Sequence, residues 1–233
     1  QIRTAIDARL LGSSSRGLAH LVTSSSSGEG KSTISLRLAR SFAISGKRTL
    51  LIDADMIGRR VTSKFGFDSL PGFGDAVLGD PAAPLPVHPG DQENLTVMPA
   101  GPRDSFAPER VSATAVDRLF ERLRVEYDVL VIDTGPILGS IEAQAIVPAS
   151  DEVLLVVSRG RDVRHVRMAI ERLQRLGARR LGIVFNRAAS SDFERSTSMS
   201  MASARVSQPT TARAELLHGM ADTANGHTGN RAG

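Results

Sequence analysis

The sequence predicts an α/β fold: a doubly wound, mostly parallel sheet with helices on both faces. Short apolar runs alternate with helical patterns along the chain, as they do where crossover helices connect parallel strands. Several of these runs are apolar throughout, which is typical of strands buried on both faces. The 233 residues, 41% of them hydrophobic, are enough for one domain with a full core.

The predicted elements follow from apolar periodicity. Buried strands are predicted at residues 18–23, 49–52, 95–99, 129–132, 153–157 and 181–185. Helices are predicted at residues 31–45, 111–125 and 163–176, where apolar residues recur at three- and four-residue spacing. Residues 72–91 contain four prolines, so we predict a surface excursion there that contributes nothing to the core.

Composition limits the domain organisation and the partners. We predict one folded domain over residues 1–189 and a disordered tail over 190–233, with a possible short helix around 212–220. The absence of cysteine excludes disulfides and thiolate metal sites. A net charge of +4 gives no reason to expect nucleic acid. The chain lacks a membrane-spanning apolar run and begins with Gln1, so we expect a fragment or processed product whose anchor lies elsewhere.

The segment between the first predicted strand and the first predicted helix carries the strongest functional motif. Glycines let main-chain amides curl around an anion, and a helix N-terminus directs further N–H groups toward it. We therefore predict a nucleoside-triphosphate cradle with ATP and Mg²⁺ as ligands. Its residues are Ser27, Gly28, Glu29, Gly30, Lys31, Ser32 and Thr33.

The roles within this cradle follow from its chemistry. Lys31 is expected to reach the β- and γ-phosphates, the Ser32 hydroxyl to ligate Mg²⁺, and Thr33 to lie at the α-phosphate. The strict pattern G-x(4)-G-K-[ST] is not complete, because Ser25 stands where it has its first glycine. A solvent-exposed loop without a ligand is the alternative interpretation.

Three carboxylates follow predicted strands. Asp53 and Asp55 come after one strand and Asp133 ends another. Ligands of open parallel sheets bind beyond the carboxyl ends of the strands, so we expect these acids near the cradle. Asp133 suits a metal ligand, together with Ser32 and Asp55. Asp53 or Asp55 could instead orient an attacking hydroxyl or water, which makes Lys31, Asp53 and Asp55 the candidate catalytic residues. Acids that merely cap turns are the alternative.

These motifs resemble a known family. Residues 23–33, 50–55 and 129–136 look like the Walker A, A′ and B motifs of bacterial tyrosine kinases (BY-kinases). The BY-kinases belong to the MinD/ParA-like superfamily of chromosome-partitioning and septum-placing ATPases. The resemblance covers roughly residues 1–188, and the Gly-Glu-Gly-Lys-Ser-Thr loop is typical of the kinase branch.

The resemblance implies a P-loop NTPase fold and phosphoryl transfer from Mg-ATP to a protein hydroxyl. It further implies regulation of capsule or exopolysaccharide biosynthesis and a location in the cytoplasm, at the inner face of the plasma membrane. The implied partners are a polysaccharide co-polymerase membrane protein, or a membrane domain fused N-terminally, and other copies in a homo-oligomer. Asn186 occupies the position expected to read adenine.

The chain also departs from the family pattern. Ser26 replaces the signature lysine of the partitioning branch, which disfavours that branch. Gly58 shifts the arginines that follow the second strand to Arg59 and Arg60. The sole tyrosine is Tyr127, which we interpret as a structural residue at the entry to a strand. Autophosphorylation on a C-terminal tyrosine cluster is therefore not expected.

Three functions remain open at this stage. The leading hypothesis is an ATP-dependent kinase domain of the BY-kinase type, with transfer that is weak or directed at another protein. The second is a nucleotide sensor without catalysis. The third is an ATPase that cycles on a membrane or on DNA, as in the MinD/ParA-like branch.

Overall fold

The computed structural model describes residues 2–4, 6, 16–103 and 110–192. The chain divides into two units, Gln1–Arg187 and Ala188–Gly233, and the sheet belongs to the first. Nearly all of the predicted tail, including the short helix expected around 212–220, lies outside the described residues. No helix in the described part is both long and apolar enough to cross a bilayer.

Seven strands form one sheet, in the order β3-β4-β2-β5-β1-β6-β7. Their bounds are β1 Leu18–Ser24, β2 Thr49–Asp53, β3 His88–Pro89, β4 Leu95–Met98, β5 Val129–Asp133, β6 Glu152–Ser158 and β7 Leu181–Asn186. Only the short β3 is antiparallel to its neighbour; the other pairs are parallel. The predicted α/β class with a mostly parallel sheet is confirmed.

The described helices lie between the strands. They are α1 Lys31–Ile44, α2 Arg60–Phe65, α3 Phe73–Leu78, α4 Ala113–Glu126, α5 Ile141–Ile146 and α6 Val163–Arg175, with a 3₁₀ turn at Val147–Ala149. The start of α4 is set by Ser112, whose hydroxyl accepts a hydrogen bond from the Ala115 amide at 3.2 Å.

Two hydrophobic clusters cover the two faces of the sheet. Side chains alternate between faces along a strand, so Leu50 lies in one cluster and Leu51 in the other. Phe120 of α4 belongs to the first cluster and Phe42 of α1 to the second. This double coverage explains why the central strands are apolar throughout, and it leaves the ends of the strands as the places for polar chemistry.

The prediction that residues 72–91 stay out of the core is wrong for α3. Phe73 is fully buried, and both it and Val77 belong to a core cluster. The Phe73 amide donates to the Pro99 carbonyl at 2.7 Å, which fixes the helix against the end of β4. Gly72 permits this approach, since a Cβ there would stand 2.0 Å from that carbonyl oxygen.

Candidate functional site

The phosphate loop, defined here as residues 24–33, joins β1 to α1 at the carboxyl edge of the sheet. Gly28 and Gly30 have φ angles of 81° and 95°, in the left-handed region that favours glycine. A Cβ on Gly30 would also lie 2.3 Å from Asn186 Nδ2. Both glycines are therefore required by the backbone that delivers Lys31 to the first position of α1.

Glu29 holds the phosphate loop from inside. Its buried carboxylate accepts hydrogen bonds from the Ser25 amide and hydroxyl, both at 3.0 Å, and from the Ser26 amide at 3.4 Å. Arg161, in the turn after β6, lies 3.4 Å from Glu29 Oε1 and donates to the Ser27 carbonyl at 2.9 Å. Ser25 thus closes the loop where the strict motif has glycine, and the loop is fixed by its own side chains.

Asn186, at the end of β7, packs against the phosphate loop. Its Nδ2 donates to the Glu29 carbonyl at 2.9 Å, and its Oδ1 accepts from the Arg187 amide at 3.0 Å. The structure therefore brings Asn186 to the predicted site, with both polar ends of its side chain bonded to the main chain.

Lys31 forms an ion pair with Asp55. The two side chains are almost completely buried, and Lys31 Nζ lies 3.1 Å from Asp55 Oδ2. Asp55 Oδ1 accepts from the Gly58 amide at 2.8 Å, and a Cβ at position 58 would stand 2.6 Å from Oδ2. Gly58, one of the departures from the family pattern, is thus what allows the chain to fold around Asp55. A polyphosphate that approaches Lys31 has to compete with this carboxylate.

The carboxylate of Asp53 accepts hydrogen bonds from other residues of the chain. It accepts from the Thr62 amide at 2.7 Å, from the Thr62 hydroxyl at 2.8 Å and from the Asp55 amide at 3.2 Å. Burial raises the pKa of Asp53 to about 6, although the Thr62 hydrogen bonds act against this. Of the two acids proposed to orient a hydroxyl, the geometry favours Asp55, since its Oδ2 faces Lys31 at the phosphate loop, whereas the Asp53 oxygens accept from Thr62 and the Asp55 amide.

Asp133 and Ser32 offer unpaired oxygens. Asp133 Oδ1 accepts from the Ser35 hydroxyl at 2.9 Å, but Oδ2 is buried and has no hydrogen-bond partner among the described residues. Within the same part of the chain Ser32 Oγ is also buried without a partner, and its proximity to Asp133 partly offsets the rise in the Asp133 pKa. Burial, and next the charge of Asp53, raise the pKa of Asp133 to about 7.

A buried carboxylate and hydroxyl without partners carry a desolvation cost that a ligand can offset. One hydroxyl and one carboxylate, both oxygen donors, are also the protein ligands that a nucleotide-bound Mg²⁺ uses. Ser32 and Asp133 therefore fit Mg²⁺ by their chemistry and by their missing partners.

Glu142 is a site residue that the sequence reasoning missed. It lies in the first turn of α5 and is only 2% exposed. Its Oε1 has no hydrogen-bond partner and lies 3.6 Å from where a Cβ on Gly135 would stand. Burial raises the pKa of Glu142, and the charge of Asp55 adds to the rise. The sequence feature that could have revealed it is an acidic residue at the second position of the helix that follows Asp133.

The two arginines after the second strand separate in the structure. Arg59 has a φ of 48°, is 1% exposed and donates from Nη2 to the Asp68 carbonyl at 2.9 Å. Arg60 is exposed and lines a cavity of about 600 Å³ that also reaches Ser32 and Thr33. Of the pair, only Arg60 faces the site.

Tyr127 lies immediately before β5 and is 9% exposed, within a hydrophobic cluster. This placement agrees with its interpretation as a structural residue.

A phosphate loop between β1 and α1, with acids beyond β2 and β5, defines the class of a P-loop nucleotide-binding domain. Residues 20–212 match the family model described as the CobQ/CobB/MinD/ParA nucleotide binding domain. The chain belongs to this family and, within it, to the branch of the bacterial tyrosine kinases.

Two relatives and one solved structure illustrate the relationship. The tyrosine-protein kinase YwqD of Bacillus subtilis (strain 168) is 31% identical over 167 residues, which are 71% of this chain and 70% of the relative. The succinoglycan biosynthesis transport protein ExoP of Rhizobium meliloti (strain 1021) is 31% identical over 189 residues, 79% of this chain but 24% of the relative. The chain therefore spans about a quarter of that longer protein.

The chimerical protein CapA2B2 has a similar structure, with a TM-score of 0.70, 26% identity and coverage of 81% of this chain and 84% of that one.

Proposed function

We propose that this chain binds Mg-ATP at the phosphate loop and transfers the γ-phosphoryl group to a hydroxyl of a protein. The observation that carries the proposal is the pair of buried oxygens without partners, Ser32 Oγ and Asp133 Oδ2, beside the Lys31–Asp55 ion pair. Membership of the tyrosine-kinase branch supports phosphoryl transfer as the reaction.

The residue roles follow from charge and reach. Lys31 would leave Asp55 to bind the β- and γ-phosphates, which bear more negative charge than one carboxylate. The main-chain amides of the phosphate loop would bind the remaining phosphate oxygens. Ser32 and Asp133 would hold Mg²⁺, which when bound neutralises charge on the β- and γ-phosphates.

Asp55 is the proposed acceptor-side carboxylate. Once Lys31 binds phosphate, Asp55 loses its cation and can accept a hydrogen bond from the acceptor hydroxyl. In the transfer, the bond from the acceptor oxygen to the γ-phosphorus forms as the bond from that phosphorus to the β,γ-bridging oxygen breaks. The hydroxyl proton passes to Asp55, and ADP departs with the bridging oxygen.

Asn186 would orient the base at the end of the loop that faces β7. Its hydrogen bond to the Glu29 carbonyl couples β7 to the phosphate loop, so base binding and loop geometry would depend on each other. This role is supported by position: β7 lies two strands from β1, on the side away from β2.

The biological setting is a further part of the proposal. The name of ExoP refers to succinoglycan biosynthesis and transport, which supports a role for this chain in exopolysaccharide biosynthesis. We place it at the inner face of the plasma membrane, with a polysaccharide co-polymerase membrane protein or a fused membrane domain as partner, and with homo-oligomerisation.

The enzymatic proposal is tested with γ-labelled ATP and Mg²⁺. The protein is incubated with a tyrosine-containing protein acceptor, and label in the acceptor is measured against free phosphate. Transfer that Lys31→Ala abolishes is the expected result. Background label in both the acceptor and free phosphate, at a nucleotide concentration shown to saturate the protein, would contradict it.

One observation favours a second candidate, a nucleotide sensor. Arg59 is turned away from the site and bonded to Asp68, which leaves fewer cations for the transition state. If the chain is a sensor, it would bind ATP, and ATP binding would change its assembly state, measured by light scattering. Turnover would stay at background.

A further inference from the structure

A basic groove lies between α1 and α2, and none of its cations has a role in the proposed nucleotide chemistry. We define the basic groove by Arg37, Arg60 and Lys64, which line a cavity of about 600 Å³. The same cavity is lined by Ser32 and Thr33, so the groove opens directly onto the first turn of α1.

Within the part of the chain that the structure describes, no ion pair neutralises the three cations of the groove. All three side chains are exposed, and within the described residues none has a carboxylate oxygen within 4.0 Å. Arg40, which borders the same cavity, is different because it is paired with Asp91. Three converging positive charges around a concave surface favour an anionic occupant.

The position of the groove argues against the base of the nucleotide as that occupant. In the sheet, β2 and β7 lie on opposite sides of β1. The groove is built by α2, which follows β2, whereas Asn186 ends β7. A nucleotide whose base lies toward Asn186 would therefore leave the groove on the other side of its phosphates, where Asp55 also lies.

The groove is also long enough for a chain of residues. At Arg37 and Arg40 it adjoins a second cavity of about 380 Å³, which continues along α1 to Ser45. An extended peptide rises about 3.3 Å per residue, so a concavity along most of a 14-residue helix can hold several residues.

We propose that the basic groove binds an acidic segment of a protein, and that this segment presents the acceptor hydroxyl to the γ-phosphate. The inference rests on the proposed phosphoryl transfer and names its substrate class: hydroxyls flanked by Asp and Glu. Carboxylates bound to Arg37, Arg60 and Lys64 would position the acceptor beside Asp55, and the groove would select acidic over basic sequences by charge.

The test uses two fluorescent peptides with one tyrosine each, flanked by glutamates in the first and by lysines in the second. Binding is measured by anisotropy with nonhydrolysable ATP and Mg²⁺, and separately ATP affinity is measured by calorimetry. We expect the glutamate peptide to bind at least about 30-fold more tightly than the lysine peptide at low salt, since each exposed charge pair contributes a fewfold. We also expect its affinity to fall as salt rises.

The variant Arg37→Glu/Arg60→Glu/Lys64→Glu should lose about 30-fold or more in affinity for the glutamate peptide. Replacement of the same three residues by Gln should have an intermediate effect on peptide binding and keep ATP affinity within about threefold, which separates the charge of the groove from misfolding and from repulsion of the nucleotide. Arg164→Glu/Arg167→Glu/Arg179→Glu is the matched control: it changes the net charge equally through exposed arginines beyond β6, and should bind the peptide as the wild type does.

Equal binding of both peptides, or equal losses in the groove and control variants, would overturn the inference. A parallel loss of ATP affinity in the Gln variant would also overturn it, because the groove would then belong to the nucleotide. Failure of the proposed function has a different signature: the wild type would then transfer no label from γ-labelled ATP to either peptide, whatever its affinity for them.

Discussion

Asp151 at the amino end of the sheet and Asp133 at the carboxyl end are both buried, but they differ in the partners that surround them. At the amino end, Arg124 donates to the carbonyls of Gly17 and Ala149 and to Asp151, at 3.1, 3.2 and 2.6 Å. At the carboxyl end, Ser32 and Asp133 each present a buried oxygen without a partner. Both regions bury an aspartate in the same fold, so the difference lies in which groups complete it.

The pKa values record this difference. Burial alone would raise the pKa of Asp151, but the Ala19 amide and the Arg124 guanidinium outweigh it and the pKa is lowered. Burial and the charge of Asp53 raise the pKa of Asp133 to about 7. The amino end therefore stabilises its charge with the chain's own groups, whereas the carboxyl end needs a cation from outside.

We expect the largest effect on stability from a variant that breaks the Arg124–Asp151 ion pair at the amino end of the sheet. Arg124→Ala should lower the free energy of unfolding by about 3–5 kcal/mol, because it removes the buried cation of Asp151, which keeps only the solvent-exposed Arg16 as partner. ATP affinity, measured by calorimetry well below the unfolding temperature, should not change. Arg118→Ala, on the exposed face of α4, should cost at most about 0.5 kcal/mol in urea unfolding. Similar losses in the two variants would contradict the structural role of the amino end.

Removal of the cation at the carboxyl end should act on binding. Lys31→Ala should weaken ATP binding roughly 100-fold, the loss expected when a charged hydrogen bond to phosphate is removed. Lys47→Ala, just beyond the far end of α1, should bind as the wild type does. A Lys31→Ala protein that binds ATP as the wild type does would contradict the assignment of the phosphate loop as the nucleotide site.

The raised pKa of Asp133 predicts opposite pH trends for the fold and for metal binding. In an unfolded chain the pKa is about 4, so the folded protein holds this proton more tightly. Its contribution to stability is therefore complete below pH 4 and is lost as pH rises through about 7. In EDTA, urea unfolding should show a loss on the order of 2 kcal/mol between pH 5 and 7. Mg²⁺ affinity in the presence of ADP should instead rise about tenfold between pH 6 and 8.

Asp133→Asn should flatten the pH trend of Mg²⁺ affinity and leave, in the free energy of unfolding, only the smaller trend of Asp53, whose pKa is raised to about 6. A wild-type protein whose Mg²⁺ affinity does not vary with pH in this range would contradict the assignment of Asp133 as a metal ligand.

The smallest effect compares two glutamates. Glu142→Gln should raise the free energy of unfolding by up to about 1 kcal/mol at pH 8, because it neutralises a buried carboxylate with a raised pKa. Glu121→Gln should lower it by up to about 1 kcal/mol, since Glu121 accepts from Arg124 at 2.8 Å. Urea unfolding checks both variants, and a change of the same sign in both would contradict the comparison.

The sequence alone predicted the parts of the molecule that depend on local pattern. The apolar runs before Asp53 and Asp133 predicted β2 and β5, and the glycines before Lys31 predicted the phosphate loop. The carboxyl ends of parallel strands meet at one edge of a sheet, where ligands bind. The placement of all three acids at the ends of β2 and β5 could therefore be anticipated.

The parts that were missed depend on distant contacts. The six-residue helix α3 contains Gly74 and is too short for a periodic signal, and its burial is decided by Pro99. Arg161 reaches the phosphate loop across 134 residues, which no local pattern encodes. The Ser25–Glu29 contact is local, but the carboxylate's inward orientation could be seen only in the folded loop.

The central claim is that Ser32 and Asp133 complete a Mg²⁺ site for a nucleotide bound by Lys31. Calorimetric titration of ATP into the wild type and into Ser32→Ala, each with Mg²⁺ and with EDTA, tests it most directly. We predict that Mg²⁺ tightens ATP binding to the wild type by at least about tenfold and that Ser32→Ala loses most of this gain. ATP affinity that is equal with Mg²⁺ and with EDTA, or an undiminished gain in Ser32→Ala, would contradict the claim.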